Sequence, residues 1–272
     1  MQRPVIWAAL QLSSQEDVGE NLARVEARIV EAANRGATTV VLPENFAYMG
    51  SEEKKRSIAE DLDAGVGPIA RCLAEAARSA RVTIVAGGFP ERAPDPARPY
   101  NTCAVFAPDG RLTARYRKIH LFDVEIADGT KYRESASTSA GDRPVVTEID
   151  GVKLGLSICY DVRFPELYRA LSSAGAEAVV VPAAFTLLTG KDHWLVLLRA
   201  RAIEAQAYVV AAAQWGKHPG GRATFGKSCV IDPWGEVIAQ ASEGEGIVMA
   251  TLDPAYLDRV RTNLPALRHR RL

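Results

Sequence analysis

Short runs rich in valine and isoleucine alternate along this chain with stretches whose apolar residues recur every three to four positions. That alternation constrains the fold more than any other feature, because buried strands and amphipathic helices cover one another only when helices are layered on sheets. Residues 5–12 read as a strand. Across 16–34, Leu22, Val25, Ile29 and Val30 fall on one helical face, and Gly36 ends the helix. Residues 38–42 read as a buried strand closed by Pro43, 68–80 as a helix opening on Pro68, and 82–86 as a strand. Gly87-Gly88 then predicts a sharp turn.

Hairpins follow. Residues 101–107 and 112–116 flank Pro108-Asp109-Gly110, and 145–149 and 152–158 flank Asp150-Gly151. Helices are expected near 165–173 and over 192–206, with strands at 178–181, 208–213, 228–231, 236–239 and 246–252, and a short helix from Pro254. Two halves, each of strands with covering helices, predict two sheets packed face to face with helices outside, a four-layer α-β-β-α sandwich of the α/β class. Residues 92–99 hold three prolines and read as a surface loop, not a boundary, so one domain over 1–272 is expected.

Bulk properties remove several classes of function. Lysine plus arginine and aspartate plus glutamate each number 33, so there is no basic excess to hold a nucleic acid. Arg268-His269-Arg270-Arg271 is a short solvated run. No window approaches the ~18 uninterrupted apolar residues of a membrane span. Cys72, Cys103, Cys159 and Cys229 are widely spaced, which argues against a zinc ribbon or a disulfide framework. The start, Met1-Gln2-Arg3-Pro4, lacks the pattern of a signal peptide. A reduced, cytoplasmic, soluble protein is expected.

Three places put a reactive side chain directly after a buried strand, where loops on a rigid support gather ligands. These are Glu44 in Val40-Val41-Leu42-Pro43-Glu44, Lys118 in Arg115-Tyr116-Arg117-Lys118, and Cys159 in Leu156-Ser157-Ile158-Cys159. Singly each has a bland explanation: a small core cysteine, a glutamate facing water, a lysine on a solvated basic face. Together they make chemical sense. A thiol needs a base or a positive charge to become a nucleophile at neutral pH, and Glu44 or Lys118 supplies either. Lys118 and the backbone N–H after Cys159 form a candidate oxyanion hole, and Glu134 is a candidate second carboxylate.

Leu42-Pro43-Glu44-Asn45-Phe46, Tyr116-Arg117-Lys118-Ile119-His120-Leu121-Phe122 and Cys159-Tyr160-Asp161-Val162-Arg163-Phe164-Pro165-Glu166 resemble, in order, the three motifs of the nitrilase superfamily of carbon–nitrogen hydrolases. The resemblance covers nearly the whole chain. It implies the α-β-β-α fold, Glu44 as general base, Lys118 as oxyanion stabiliser, Cys159 as nucleophile and no cofactor or metal. It also implies an extra glutamate, matched by Glu134, with Glu125 as the rival because it lies closer to the lysine. Lys191-Asp192-His193-Trp194 through Glu204, together with 208–214 and 264–271, is similar to the Nit-type amidases. That branch implies a small-molecule primary amide bearing a carboxylate, deaminated glutathione first and ω-amides of α-keto acids second, with N-carbamoyl amides as a further alternative. Tyr160 and Arg163 become the candidate substrate-binding residues, although Arg163 is as readily a salt bridge to Glu166. A homodimer or larger even homo-oligomer is implied as well.

Rival readings remain. Cys159 and His120 form a candidate Cys-His pair. His120, His193, His218 and His269 show no metal-ligand spacing. A non-catalytic binding or scaffold module on the same fold is the reading from another class.

Overall fold

The computed structural model describes residues 3–65, 67–125 and 131–271. The first half of the chain forms β1 (Val5–Leu12), α1 (Val18–Asn34), β2 (Thr39–Leu42), α2 (Glu52–Ser57), α3 (Pro68–Ala80), β3 (Thr83–Glu91), β4 (Tyr100–Phe106), β5 (Leu112–Arg117), β6 (Asp123–Glu125) and β7 (Lys131–Arg133). The second half forms β8 (Val145–Ile149), β9 (Val152–Leu156), α4 (Pro165–Ser173), β10 (Ala178–Val180), α5 (Leu187–Ala205), β11 (Tyr208–Ala211), β12 (Ala213–Lys217), β13 (Ala223–Phe225), β14 (Cys229–Ile231), β15 (Val237–Gln240), β16 (Gly246–Leu252) and α6 (Pro254–Asn263).

The first sheet runs β13-β12-β1-β2-β3-β4-β5, with β16 antiparallel along β1. The second runs β15-β14-β11-β10-β9-β8, and β6 pairs with β7 apart from both. Side-chain alternation makes the layers. Ala8, Leu10 and Leu12 of β1, with Val40 and Leu42 of β2, pack on Val25 and Ile29 of α1 and Ile69 and Leu73 of α3. The intervening Trp7, Ala9 and Val41 point the other way, into a core shared with Leu154, Leu156 and Val209 of the second sheet and Trp194 and Leu198 of α5. A one-residue slip of β1 would exchange the two faces, so the register is strongly set. The four-layer architecture is the expected one.

Helix ends follow ordinary chemistry. Asp17 caps α1 by accepting from Glu20 N at 2.9 Å, and Gly36 follows its end at φ 94°. Pro68 opens α3, whose first free N–H groups, Ile69 and Ala70, donate to the Glu60 carboxylate at 2.6 and 2.8 Å.

Three local expectations are corrected. Gly87-Gly88 is no turn: β3 runs straight through to Glu91, with a register shift between Ala86 and Phe89. The glycines are there for close approach. A Cβ on Gly87 would lie 2.2 Å from Pro182 Cβ and 2.3 Å from Leu42 O, and one on Gly88 would lie 2.3 Å from Asn101 Oδ1. α5 starts at Leu187, five residues before the expected 192, because Gly190 packs against Phe225 and is no helix boundary. The single strand expected over 208–213 is split at Ala212: β11 belongs to the second sheet and β12 to the first, so the chain crosses between sheets there. Among the described residues, no helix is long and apolar enough to cross a membrane.

Candidate active site

Each of the three motif residues sits where its strand stops. Pro43 ends β2, and Asn45, in the left-handed region at φ 60°, turns the chain so that its N–H reaches Gly88 O at 2.7 Å. Asparagine tolerates that conformation better than most residues. Gln214 of β12 donates to the Glu44 carbonyl at 3.1 Å, which fixes the glutamate from the other side. Lys118 follows β5 directly, and its N–H bonds Asn101 O at 2.9 Å.

Cys159 begins a short 3₁₀ turn, Cys159–Arg163, and its φ is 47°. For a residue with a Cβ this is a strained conformation, costing on the order of 1–3 kcal/mol, and it persists only if the surroundings enforce it. Asp161, fully buried, provides the enforcement. Its carboxylate accepts from Ile158 N at 2.8 Å, Tyr116 OH at 2.7 Å, His120 N at 3.1 Å and His120 Nδ1 at 2.7 Å. One carboxylate therefore ties the cysteine turn to the lysine segment.

The side chains converge. Lys118 Nζ donates to Glu44 Oε1 at 2.9 Å and to Glu134 Oε2 and Oε1 at 2.9 and 3.1 Å. Asn101 Nδ2 donates to the same two carboxylates, at 2.9 and 3.3 Å. Ala184 N holds Glu44 Oε2 at 2.9 Å, and Phe122 N holds Glu134 Oε2 at 2.7 Å. The Cys159 thiol lines the same cavity as these side chains, where the charges of Glu44 and Lys118 act on it.

Charge follows from burial and neighbours. Burial raises the Glu44 pKa, but the Lys118 ammonium and its hydrogen bond outweigh it and, with the charge of Arg222, bring it to about 2. Burial disfavours the Lys118 cation, yet Glu134 and Glu44 push its pKa well above the ordinary lysine value. Burial and the Glu44 charge raise the Cys159 thiol against the opposing pull of Lys118. The resting site is thus a neutral thiol beside a carboxylate, with an ammonium between two carboxylates. Both activators left open by the sequence therefore act on the sulfur, Glu44 against its ionisation and Lys118 toward it.

The remaining candidates divide. Tyr160 and Arg163 line the same cavity as Cys159. The Tyr160 ring meets Phe122 and Phe164 edge-on at 5.0 and 5.3 Å. Arg163 bonds His193 Nδ1 at 3.2 Å and lies 5.1 Å from the Phe185 ring centre; among the described residues it forms no ion pair with Glu166. Glu125 is exposed on β6 and pairs with Lys131 at 3.2 Å, while Glu134 takes the place beside Lys118. His120 is engaged by Asp161 and stacked on Phe164 at 3.7 Å, away from any role as the thiol's partner. Cys103 and Cys229 are buried in the core, and Cys72 is half-buried on α3.

Three contributors escaped sequence reasoning. Asn101 reads as a strand opener, Ala184 as an ordinary core alanine, and Arg222 as part of a glycine-rich turn; nothing in their local pattern marks a site.

A sequence profile described as carbon–nitrogen hydrolase matches residues 7–262. The chain is 48% identical, over 98% of each sequence, to a Synechocystis protein named deaminated glutathione amidase. It is 39% identical to the Arabidopsis thaliana protein named omega-amidase, chloroplastic, over 96% of this chain and 71% of that one. Among solved structures, the C. elegans NitFhit protein superposes with a TM-score of 0.92 at 39% identity; the match covers 99% of this chain and 65%, less than two thirds, of that longer one.

Proposed function

Because the chain belongs to the carbon–nitrogen hydrolase family and is a hydrolase of carbon–nitrogen bonds, we propose that it cleaves small carboxylate-bearing amides with Cys159 as nucleophile, Glu44 as base and Lys118 as oxyanion stabiliser. The observation that carries this reading is the Lys118 ammonium held between Glu44 and Glu134 in the cavity that Cys159 lines. As sulfur attacks the amide carbonyl, Glu44 takes the thiol proton. The carbonyl oxygen becomes anionic beside Lys118 and the Tyr160 N–H, in a buried setting where such donors count for more than in water. The carbon–nitrogen bond then breaks as the amine leaves with the proton from Glu44, and a thioester remains on Cys159. Water, deprotonated by Glu44, attacks the thioester and releases the acid. Glu134 keeps Lys118 charged and aimed.

Deaminated glutathione is the first substrate we propose, on the similarity to proteins of that name. Its scissile amide carries cysteinylglycine and is therefore secondary, not the primary amide expected from the sequence, so the leaving group is a dipeptide amine and not ammonia. The second is an ω-amide of an α-keto acid, favoured by the Arabidopsis relative, where the amide is primary and ammonia leaves. Arg163 is the proposed partner of the acyl-side carboxylate. We also propose that residues 1–272 act as one domain in a reducing, cytoplasmic setting, in line with four free cysteines. The exposed apolar Leu187, Leu188, Val196 and Ile203 on α5 support a homodimer or larger even oligomer, which sedimentation would test.

The decisive experiment is mass spectrometry of the enzyme quenched during turnover. It is expected to show an acyl adduct on the peptide holding Cys159 and none in Cys159→Ala, which should be inactive yet folded. Turnover by Cys159→Ala would overturn the mechanism and would leave another chemistry, whereas no turnover by the wild type would leave a binding module.

A further inference from the structure

Arg222, just before β13, carries a guanidinium whose charge acts on Glu44 and Glu52 but which, among the described residues, forms no ion pair with either. It lines the cavity of Cys159, its Nη2 donates to Ala184 O at 3.1 Å, and its Cζ lies over the Tyr132 ring at 5.8 Å from the centre. Its Nε is buried with no hydrogen-bond partner. Among the described residues no carboxylate stands in ion-pair contact with it, in contrast to Arg117 on Glu91 or Arg201 on Glu204. A buried donor without an acceptor costs free energy, and a planar fork of donors suits a carboxylate.

Its place relative to the reaction is informative. Arg222 and Glu44 hold opposite ends of one residue: the Ala184 carbonyl accepts from Arg222, and the Ala184 N–H donates to Glu44. Arg222 is therefore on the side of the cavity where the leaving amine receives its proton. Arg163 follows Cys159 in the same 3₁₀ turn and packs on Tyr160 and Phe185. The two cations line one cavity from different elements and different surroundings.

We propose that Arg222 binds a carboxylate carried by the leaving amine, so that the cavity selects amides with an acid on each side of the scissile bond. This rests on the amidase reading above and adds a residue that discriminates leaving groups. The acyl-enzyme formed from a given acyl group is the same whatever amine has left. The contribution of Arg222 thus belongs to acylation and shows in kcat/KM.

The test uses two amides sharing a 2-oxoglutaryl acyl group, one with alanylglycine as leaving amine and one with its terminal carboxamide. They match in size and differ in one charge. The wild-type enzyme should prefer the acid. Arg222→Ala and Arg222→Gln should each reduce that preference about ten- to a hundredfold, the scale of a charge-assisted hydrogen bond. The glutamine variant retains an N–H for Ala184, so a purely structural role would not move the ratio in it. Any effect of lost Arg222 charge on Glu44 acts on both amides and cancels. Arg163→Ala should weaken both amides alike and leave the ratio where it was. An unchanged ratio in Arg222→Gln, or a wild-type enzyme indifferent to the charge, overturns the proposal while the amidase reading stands. Hydrolysis of neither amide by the wild type refutes the amidase reading itself.

Discussion

The charge of Glu44 beside the Cys159 thiol governs what substitutions at the site should do. Glu44→Gln removes the proposed base, and turnover should fall by about a hundredfold or more. It also removes a negative charge that raises the thiol pKa while leaving Lys118 in place. The pH at which Cys159 becomes reactive to iodoacetamide should therefore move down in this variant, even as catalysis is lost. An upward movement would show that Lys118, not Glu44, sets the thiol. Lys118→Arg should not restore the activity lost in Lys118→Ala, because a planar fork does not fit a site built for a compact ammonium. Glu134→Ala should be severely impaired and Glu125→Ala close to wild type, measured as kcat/KM. The motif residues were legible because each directly follows a strand-forming run and carries an unmistakable side chain. Choosing between Glu134 and Glu125 was not possible by spacing, since β6 and β7 carry the chain out and back before Glu134 returns to Lys118. Asn101 and Arg222 were invisible for a related reason: their meaning lies in partners 33 to 57 residues away or further.

Elements with strong periodicity, such as β1, α1, α3 and the hairpin of β8 and β9, are nearly where their patterns put them. Those set by tertiary contact are not. β12 and β13 have no alternating apolar face of their own, and nothing local to Gly190 tells that Phe225 lies against it. Gly88→Ala tests the corrected reading of β3, because the new methyl would crowd Asn101 Oδ1 and reach 3.0 Å from Glu44 Cγ. Misplacing the base should cost about a hundredfold in kcat/KM; an unaffected enzyme would return the segment to a mere turn. The pair β12 and β13 also holds a pH sensor of stability. His218 Nδ1 donates to Ser14 O at 2.9 Å, which leaves Nε2 to accept from Thr224 Oγ1 at 2.7 Å. Burial lowers the His218 pKa, the bond to Ser14 opposes, and the charge of Arg222 adds to the lowering. The unfolded chain then binds this proton more tightly than the folded one, so the contribution is present above about pH 6.5 and is lost as pH falls below it. Urea midpoints measured between neutral and mildly acidic pH should fall less steeply in His218→Gln than in the wild type.

The molecule places its proposed base and lysine on one sheet and its nucleophile on the other, so the seam between sheets positions the chemistry. Trp7 fills that seam and is fully buried, with its indole N–H unpartnered. Trp7→Ala should cost about 3–5 kcal/mol in denaturant titration. Trp7→Phe should cost much less, since it also removes the orphaned donor. Equal costs would mean that the N–H is satisfied in solution. The pairing of β16 along the whole of β1, from Val5 with Leu252 to Gln11 with Gly246, has a consequence for how the protein is born. A ribosome makes β1 (Val5–Leu12) well before β16 (Gly246–Leu252), and at roughly 5–20 residues per second the interval is on the order of ten to fifty seconds. Throughout it the flank of β1 lies open, a row of unpaired amides beside Trp7, Ala8, Ala9 and Leu10. The nascent chain must be shielded from its neighbours on the polysome until β16 emerges to cover that flank.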